Sequence, residues 1–295
     1  ETRKEAQQGS AVAQFNLGLM YENGQGVPQN YERAFKWFRE AAQQGYANAQ
    51  FNLALMYGSG KGVPRDYEKA FKWISKAAQQ REARAQYRLG TMYFAGVGVS
   101  QDFGQAVKWF RKAAQQGYAD AQIFLGLIYD EGRGVPKDYE HAEKWFHKAA
   151  QQVYAAAQIN LANMYKNGRG VSQDYEQAAI WFQKAAQQGH ADAQYNLGVM
   201  YTKDRGVSQD YQQAAKWFQR AAQQGYTSAQ YNLALMYKNG QGVLQDYIQA
   251  HKWFNLTAAQ GLSNARKNRD ILEERMTRDQ VAKAQRLALE WEAKR

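Results

Sequence analysis

The sequence predicts an all-α solenoid, a stack of short helix pairs in which no pair buries its apolar face alone. Three observations carry this expectation. Trp37, Trp73, Trp109, Trp145, Trp181, Trp217 and Trp253 recur every 36 residues, and the columns Tyr21 to Tyr237 and Gln14 to Gln230 keep the same step. Seven copies run without insertion or deletion, and an eighth begins near Leu262 and decays. Within each copy the apolar residues fall at helical spacing, and glycines return at constant phase to end each helix.

The elements of one copy follow in order. A first helix, A, is expected from about Ser10 to Asn23, because Ala13, Leu17, Met20 and Tyr21 share one helical face. Gly24 and Gly26 end it. The Gly-x-Gly-Val element that begins there has the look of a phosphate-cradling loop, but no copy continues into Gly-Lys-Ser/Thr and no strand precedes it. It returns in every unit, altered once to Asp-Arg-Gly-Val at Asp204, so it reads as punctuation. A second helix, B, starts after Asn30. The equivalent Asp66, Asp102, Asp138, Asp174, Asp210 and Asp246 are good N-caps, and Gln105, Gln177 and Gln213 are placed to complete capping boxes. Ala34, Trp37, Phe38 and Ala41 form its expected buried stripe, and Gly45 closes it. A small residue recurs in mid-helix A (Gly18, Ala54, Gly90, Gly126, Ala162, Gly198, Ala234), which allows close helix approach. Arg81 and Val153 stand where other copies have the helix-ending Gly, so strain is expected at those joins. Thr277 and Gln280 form a further capping box that opens a last helix to about Ala293.

The division expected is 1–9 as the end of a truncated repeat, 10–261 as seven repeats, and 262–295 as a degenerate repeat with a capping helix. The chain begins in the middle of the pattern without Met, so removal of an N-terminal segment is expected. With 45% hydrophobic residues there is ample material for a core. There is no cysteine, which excludes disulfides, thiolate catalysis and Cys-based zinc sites. No apolar run reaches the roughly 18–20 residues that span a bilayer. A formal charge of +11 favours anionic partners, although Lys and Arg are also ordinary surface helix formers.

The motif Ala-x-Ala-Gln-x-Asn-Leu-Gly-x-Met-Tyr, then Gly-x-Gly-Val, then Asp-Tyr-x-x-Ala-x-x-Trp-Phe-x-x-Ala-Ala-x-x-Gly, resembles Sel1-like repeats, relatives of the tetratricopeptide repeat. The resemblance runs from about Ala6 to Leu262 and recurs seven times. It implies a right-handed α/α superhelix with a C-terminal capping helix. It also implies a non-catalytic scaffold or adaptor that binds segments of other proteins along its concave groove, without cofactor or metal. Many bacterial members are exported, and some engage host proteins as virulence factors. An exported, secreted or periplasmic location is therefore expected, with the cytoplasm as alternative. The chain departs from the cysteine-bridged subgroup of the family.

If helix A lines the groove, the face away from its core stripe is the place for a partner. Asn16, Asn52, Asn160, Asn196 and Asn232 recur there, and two readings stand: a ladder of amides for the backbone of an extended peptide, or an architectural contact. Deviations from the repeat are the more specific signal. The third and fourth copies carry Arg84, Arg88, Thr91, Phe94, Asp120 and Phe124 on this face, and Arg and exposed aromatics are typical interface anchors. A second column lies on helix B: Lys36, Lys72, Lys108, Lys144, Lys216 and Lys252, broken by Ile180. Its stems are expected on the Trp faces, with an anionic phospholipid surface as the functional alternative. Nucleic acid is disfavoured, because the basic residues are spread and the aromatics lie on core stripes. The four histidines show neither i, i+4 pairing nor a His-Glu-x-x-His motif, and no nucleophile–base order suggests an enzyme.

Overall fold

A computed structural model describes residues 1–294. All regular structure among them is helical, and the chain divides into two compact units, Glu1–Gln152 and Val153 onward.

The first unit opens with α1 (Thr2–Gln7). Four helix pairs follow: α2 (Ala11–Asn23) with α3 (Tyr31–Gln43), α4 (Ala47–Ser59) with α5 (Tyr67–Gln79), α6 (Ala83–Ala95) with α7 (Phe103–Gln115), and α8 (Ala119–Glu131) with α9 (Tyr139–Gln151). Each helix packs on the next. The second unit holds α10 (Ala155–Asn167) with α11 (Tyr175–Gln187), α12 (Ala191–Lys203) with α13 (Tyr211–Gln223), and α14 (Thr227–Asn239) with α15 (Tyr247–Ala259), then α16 (Ser263–Glu273) and α17 (Arg278–Ala293). The last helix packs on α15, where the Trp291 ring meets the Trp253 ring edge-on at 5.8 Å. Thr277 and Gln280 make the reciprocal capping box expected at its start.

One contact sets the spacing within each pair. The helix B phenylalanines Phe38, Phe110, Phe146, Phe182, Phe218 and Phe254 are fully buried. Each is worth about 1.5–3 kcal/mol on burial. The ring lies on the small residue of the preceding helix A. A methyl group on Gly18, Gly90, Gly126 or Gly198 would stand 2.5–2.7 Å from the nearest ring carbon. The expectation of close approach is met, with the aromatic ring as the partner.

The joins also behave as their residues demand. Gly24 takes φ 70 at the end of α2 and Gly45 takes φ 90 after α3. Arg81 (φ 68) and Val153 (φ 69) adopt the same left-handed backbone without glycine's freedom, so the anticipated strain is present. Such a conformation costs an L-residue about 1–2 kcal/mol. Asp204 (φ 53) is better suited to it, and its carboxylate accepts from the Gln209 backbone at 3.0 Å. The second glycine of Gly-x-Gly has another reason. A methyl on Gly62 or Gly98 would overlap the carbonyl of Tyr31 or Tyr67, at the start of the previous helix B. The element is therefore both a turn and a seat for the neighbouring repeat.

Two expectations are corrected. The capping boxes at Asp102, Asp174 and Asp210 form only in one direction. Each Asp carboxylate accepts from the N3 backbone, but its own N–H is already given to Tyr93, Tyr165 or Tyr201 at 2.9–3.1 Å, so Gln105, Gln177 and Gln213 have no donor to meet. The Trp column is not uniformly core. Trp181 and Trp253 are buried, while Trp37, Trp73, Trp109, Trp145 and Trp217 are half-exposed.

Burial holds the Glu22 carboxyl, in the last turn of α2, above its ordinary range, partly offset by the Lys61 charge. Stability associated with its protonated form is present at low pH and is lost as pH rises through the raised folded value. Glu22→Gln is therefore expected to raise the melting temperature at neutral pH. No gain should remain well below the carboxylate range, which paired thermal melts can check.

Candidate functional site

The constant phase of the glutamines becomes a hydrogen-bonded relay. Gln14, Gln50, Gln86, Gln122, Gln194 and Gln230 are buried, and each side-chain amide donates to an alanine carbonyl eight residues earlier at 3.1–3.2 Å. Each of their side-chain oxygens accepts from a glutamine 30 residues later, from Gln44 to Gln14, Gln80 to Gln50, Gln116 to Gln86 and Gln152 to Gln122 in the first unit. These amides join consecutive repeats and are architecture, not a binding surface.

The asparagine column divides. Asn16 is exposed and Asn52, Asn160, Asn196 and Asn232 are half-buried. Asn160 donates to the Ala156 carbonyl of its own helix at 3.0 Å. Asn196 donates to Asp192 and accepts from Lys166 Nζ at 2.9 Å. In the eighth, partial copy Asn268 likewise accepts from Lys238 Nζ at 2.8 Å. Burial holds the Lys166 amine below its usual range. Here the architectural reading describes the contacts made.

The third and fourth copies differ in kind. The positions that hold Lys166 and Asn196, 30 residues apart on consecutive A helices, are Phe94 and Phe124 in the first unit, with ring centroids 6.4 Å apart and edge-on. A polar pair has been exchanged for an aromatic one at both ends. Phe124 also meets Tyr87 at 5.6 Å and Phe110 at 5.4 Å, and Phe94 meets Phe103 at 5.2 Å. Both remain half-exposed. Thr91 stands where Leu19, Leu55, Leu127 and Leu235 stand in other copies. Its hydroxyl turns back to the Arg88 carbonyl at 2.7 Å, so only its methyl is presented.

The charges around this aromatic floor are mostly committed. Arg84 pairs with Glu82 at 2.7 Å, donates to Asn48 at 3.2 Å and lies over the Phe51 ring at 4.9 Å. The Asp120 carboxylate acts on the Tyr118 hydroxyl; burial first, then that charge, pushes Tyr118 and Tyr87 above the ordinary phenol range. Arg88 is exposed, and its guanidinium has no hydrogen-bond or ion-pair partner among the described residues. Arg88, Thr91, Phe94 and Phe124 therefore form one patch, while Arg84 serves mainly to hold its edge.

The lysine column is corrected. Of Lys36, Lys72, Lys108, Lys144, Lys216 and Lys252, only Lys252 covers a Trp face, at 4.5 Å. The cations that stack lie three residues after each Trp: Lys76 on Trp73, Lys112 on Trp109, Lys148 on Trp145, Lys184 on Trp181 and Arg220 on Trp217, at 4.0–4.7 Å. Residues three apart share a helix face, which brings these cations over the ring; after Trp253 the third residue is Leu256, and there the adjacent Lys252 reaches the ring instead.

Two hollows lie on the surface. One of 670 Å³ lies in the second unit, where the Asp210 cap and Trp217 are among its walls, and another of 280 Å³ lies in the first beside Arg81 and Lys112. No group of His, Cys, Asp and Glu suited to a metal occurs among the described residues, and no helix among them is long and apolar enough to cross a membrane.

The Sel1 repeat family profile matches residues 11–46, 47–81, 83–118, 119–154, 155–190, 191–226 and 227–262. No curated protein matches the chain. Among solved structures it is similar to a Sel1 repeat protein from Oxalobacter formigenes, at 38% identity and a TM-score of 0.73, covering 92% of this chain and 78% of that one. It is also similar to a protective antigen of uropathogenic Escherichia coli with the same repeat fold, at 29% identity and a TM-score of 0.61, covering 98% of this chain and 85% of that one.

Proposed function

The chain belongs to the Sel1 repeat family, whose members are generally non-catalytic protein–protein interaction scaffolds, and from that premise we propose that it captures an extended segment of a partner protein on the A-helix face of its first unit. The observation that carries the reading is the coupled replacement of a polar pair by Phe94 and Phe124 beside the unpaired Arg88. Half-exposed aromatics next to an uncompensated guanidinium supply the anchors that dominate protein interfaces. The likeness to a protective antigen supports an exported bacterial protein whose partner is a host or envelope protein.

The test is capture of partners by the full chain and by Arg88→Asn/Phe124→Asn. Asparagine is what five other copies carry at this position, so the double variant keeps the fold better than truncation of a ring packed on Tyr87 and Phe110. Loss of a partner with more than tenfold weaker binding and little change in melting is the expected result. Retention of every partner at unchanged affinity would remove the patch from consideration.

A second reading, attraction to an anionic phospholipid surface, is favoured by one feature. Lys72 with Lys76, Lys108 with Lys112 and Lys144 with Lys148 are like-charged pairs at i, i+4 on α5, α7 and α9, and no carboxylate among the described residues pairs with them. Each such pair costs about 0.2–0.5 kcal/mol in an isolated helix. Salt-sensitive sedimentation with phosphatidylserine vesicles would carry this reading, and salt-independent or absent binding would end it.

A further inference from the structure

We infer that the recess beside Arg81 and Lys112 binds a phosphate monoester. This is a site separate from the aromatic patch, and it does not rest on the function proposed for that patch. It lies where the third copy follows the second, at the end of α5 and alongside the last turn of α7, with a volume of 280 Å³.

The join here is built differently from the glycine joins at Gly45, Gly117 and Gly189. At Gly45, Gly117 and Gly189 the carbonyl accepts from a glutamine amide 35 residues later, Gln80, Gln152 or Gln224, at 2.8–3.1 Å. At Arg81 the corresponding Gln116 does not reach across. It keeps its bond to Gln86 at 2.7 Å and otherwise turns back to the Lys112 carbonyl of its own helix at 3.5 Å. Gln188 does the same opposite Val153, turning to the Lys184 carbonyl at 3.5 Å. The cross-link is also missing at Gly9 and Gly225, where Gln44 and Gln260 bond to Gln14 and Gln230 instead, so its loss does not follow from the missing glycine alone; what sets the Arg81 join apart is that it puts a charge into the open space.

The lining then supplies donors. Arg81 and Lys112 are both exposed cations, and Gln79 and Gln115 also line the recess. The buried acceptors in the wall are taken: the Ala78 carbonyl accepts from Gln86 at 3.1 Å and from the Arg81 backbone at 3.1 Å, and the Gln86 side-chain oxygen accepts from Gln116. Among the described residues no carboxylate lines the recess. Glu82, the nearest acid in sequence, is held by Arg84 and by its cap bond to the Ala85 backbone. Lys112 is steadied on the Trp109 ring at 4.1 Å, which fixes the place of its ammonium group. A planar guanidinium and a point ammonium in one lining with neutral donors match a doubly charged tetrahedral anion better than a singly charged carboxylate. The left-handed backbone at Arg81 is a strain found most often where the side chain has a task.

Inorganic phosphate and phosphoserine are the probes, titrated into the isotope-labelled full chain at low ionic strength. The expected result is a saturable change confined to the amide signals around Arg81, Gln86, Gln115 and Gln116, at least tenfold weaker in Lys112→Gln and absent in Arg81→Gly. The glycine variant restores the residue found at other joins, so it keeps the fold and is expected to melt higher. Its loss of phosphate binding cannot then be a folding defect. Phosphatidic-acid vesicles, tested with the same variants, show whether a headgroup or a soluble monoester is the better carrier. Shifts spread evenly over every lysine-bearing helix, no saturation, or unchanged binding in Arg81→Gly would overturn the assignment.

Discussion

Gly206→Ala is expected to destabilise the second unit by about 2–5 kcal/mol, while Gly198→Ala, eight residues earlier, is expected to cost no more than about 2 kcal/mol. Both glycines are crowded, and the difference lies in what crowds them. A methyl on Gly206 would overlap the Tyr175 carbonyl at the start of α11, and the residue itself is held at φ 70. Left-handed backbone costs an L-residue about 1–2 kcal/mol, and overpacking adds about 1–3 kcal/mol because a backbone carbonyl in the first turn of a helix cannot swing away. A methyl on Gly198 instead meets the edge of the Phe218 ring at 2.7 Å, within an ordinary helix. There, alanine's better helix propensity returns about 1 kcal/mol. The protein itself carries the tolerated arrangement, with Ala162 ahead of Phe182 and Ala234 ahead of Phe254. Denaturant titrations of the two variants, with helix content as readout, measure the difference. Equal losses would mean that the second glycine of the loop is not a seat for the neighbouring repeat.

That distinction also marks how far the sequence can be read. Helix ends, N-caps and left-handed joins are local events, so Asn30, Gly24, Arg81 and Val153 announced them through residue type alone. Contacts between repeats are not local. Gln14 and Gln44 looked like two helix formers at constant phase, and nothing in either segment says that one amide reaches the other across 30 residues. The same interval hides the pairing of Phe94 with Phe124; singly they read as deviations, and only the stacked A helices make them neighbours. The cation stacks were legible and were misplaced. The column one residue before each Trp is the more regular in sequence, but helix geometry puts the residue three later over the ring, as Lys76 and Lys112 show. The recess at Arg81 needed both kinds of information: the strain is local, and the released glutamine lies 35 residues away.

Gln122→Glu should be the most damaging isosteric change in the first unit, and its damage should depend on pH. Gln122 is buried between two partners of opposite character. Its amide nitrogen donates to the Ala114 carbonyl at 3.1 Å, and its oxygen accepts from Gln152 at 2.9 Å. A glutamate keeps the shape and the second bond but points a charged acceptor at the Ala114 carbonyl, and both of the partners here are neutral. Leaving a buried charge uncompensated costs about 3–5 kcal/mol. Protonation restores a donor toward Ala114, so the glutamate's folded pKa must lie above its unfolded value of about 4.3. Stability is then full below the unfolded value and is lost as pH rises through the folded one. Gln122→Met removes both the donor and the acceptor without adding charge, and the Gln152 amide keeps its bond to the Gly117 carbonyl at 3.1 Å. The Ala114 carbonyl keeps its bond from the Gly117 backbone at 3.0 Å, so the loss falls toward the low end of about 1–3 kcal/mol and is the same at all pH. Denaturation midpoints of both variants across the acid range separate the two effects. If Gln122→Glu is as mild as Gln122→Met at neutral pH, the glutamine relay is open to water and does not lock the repeats together. If it collapses only above the carboxylate range, the relay is a dry hydrogen-bonded seam, and its strict recurrence through seven copies has a physical cause.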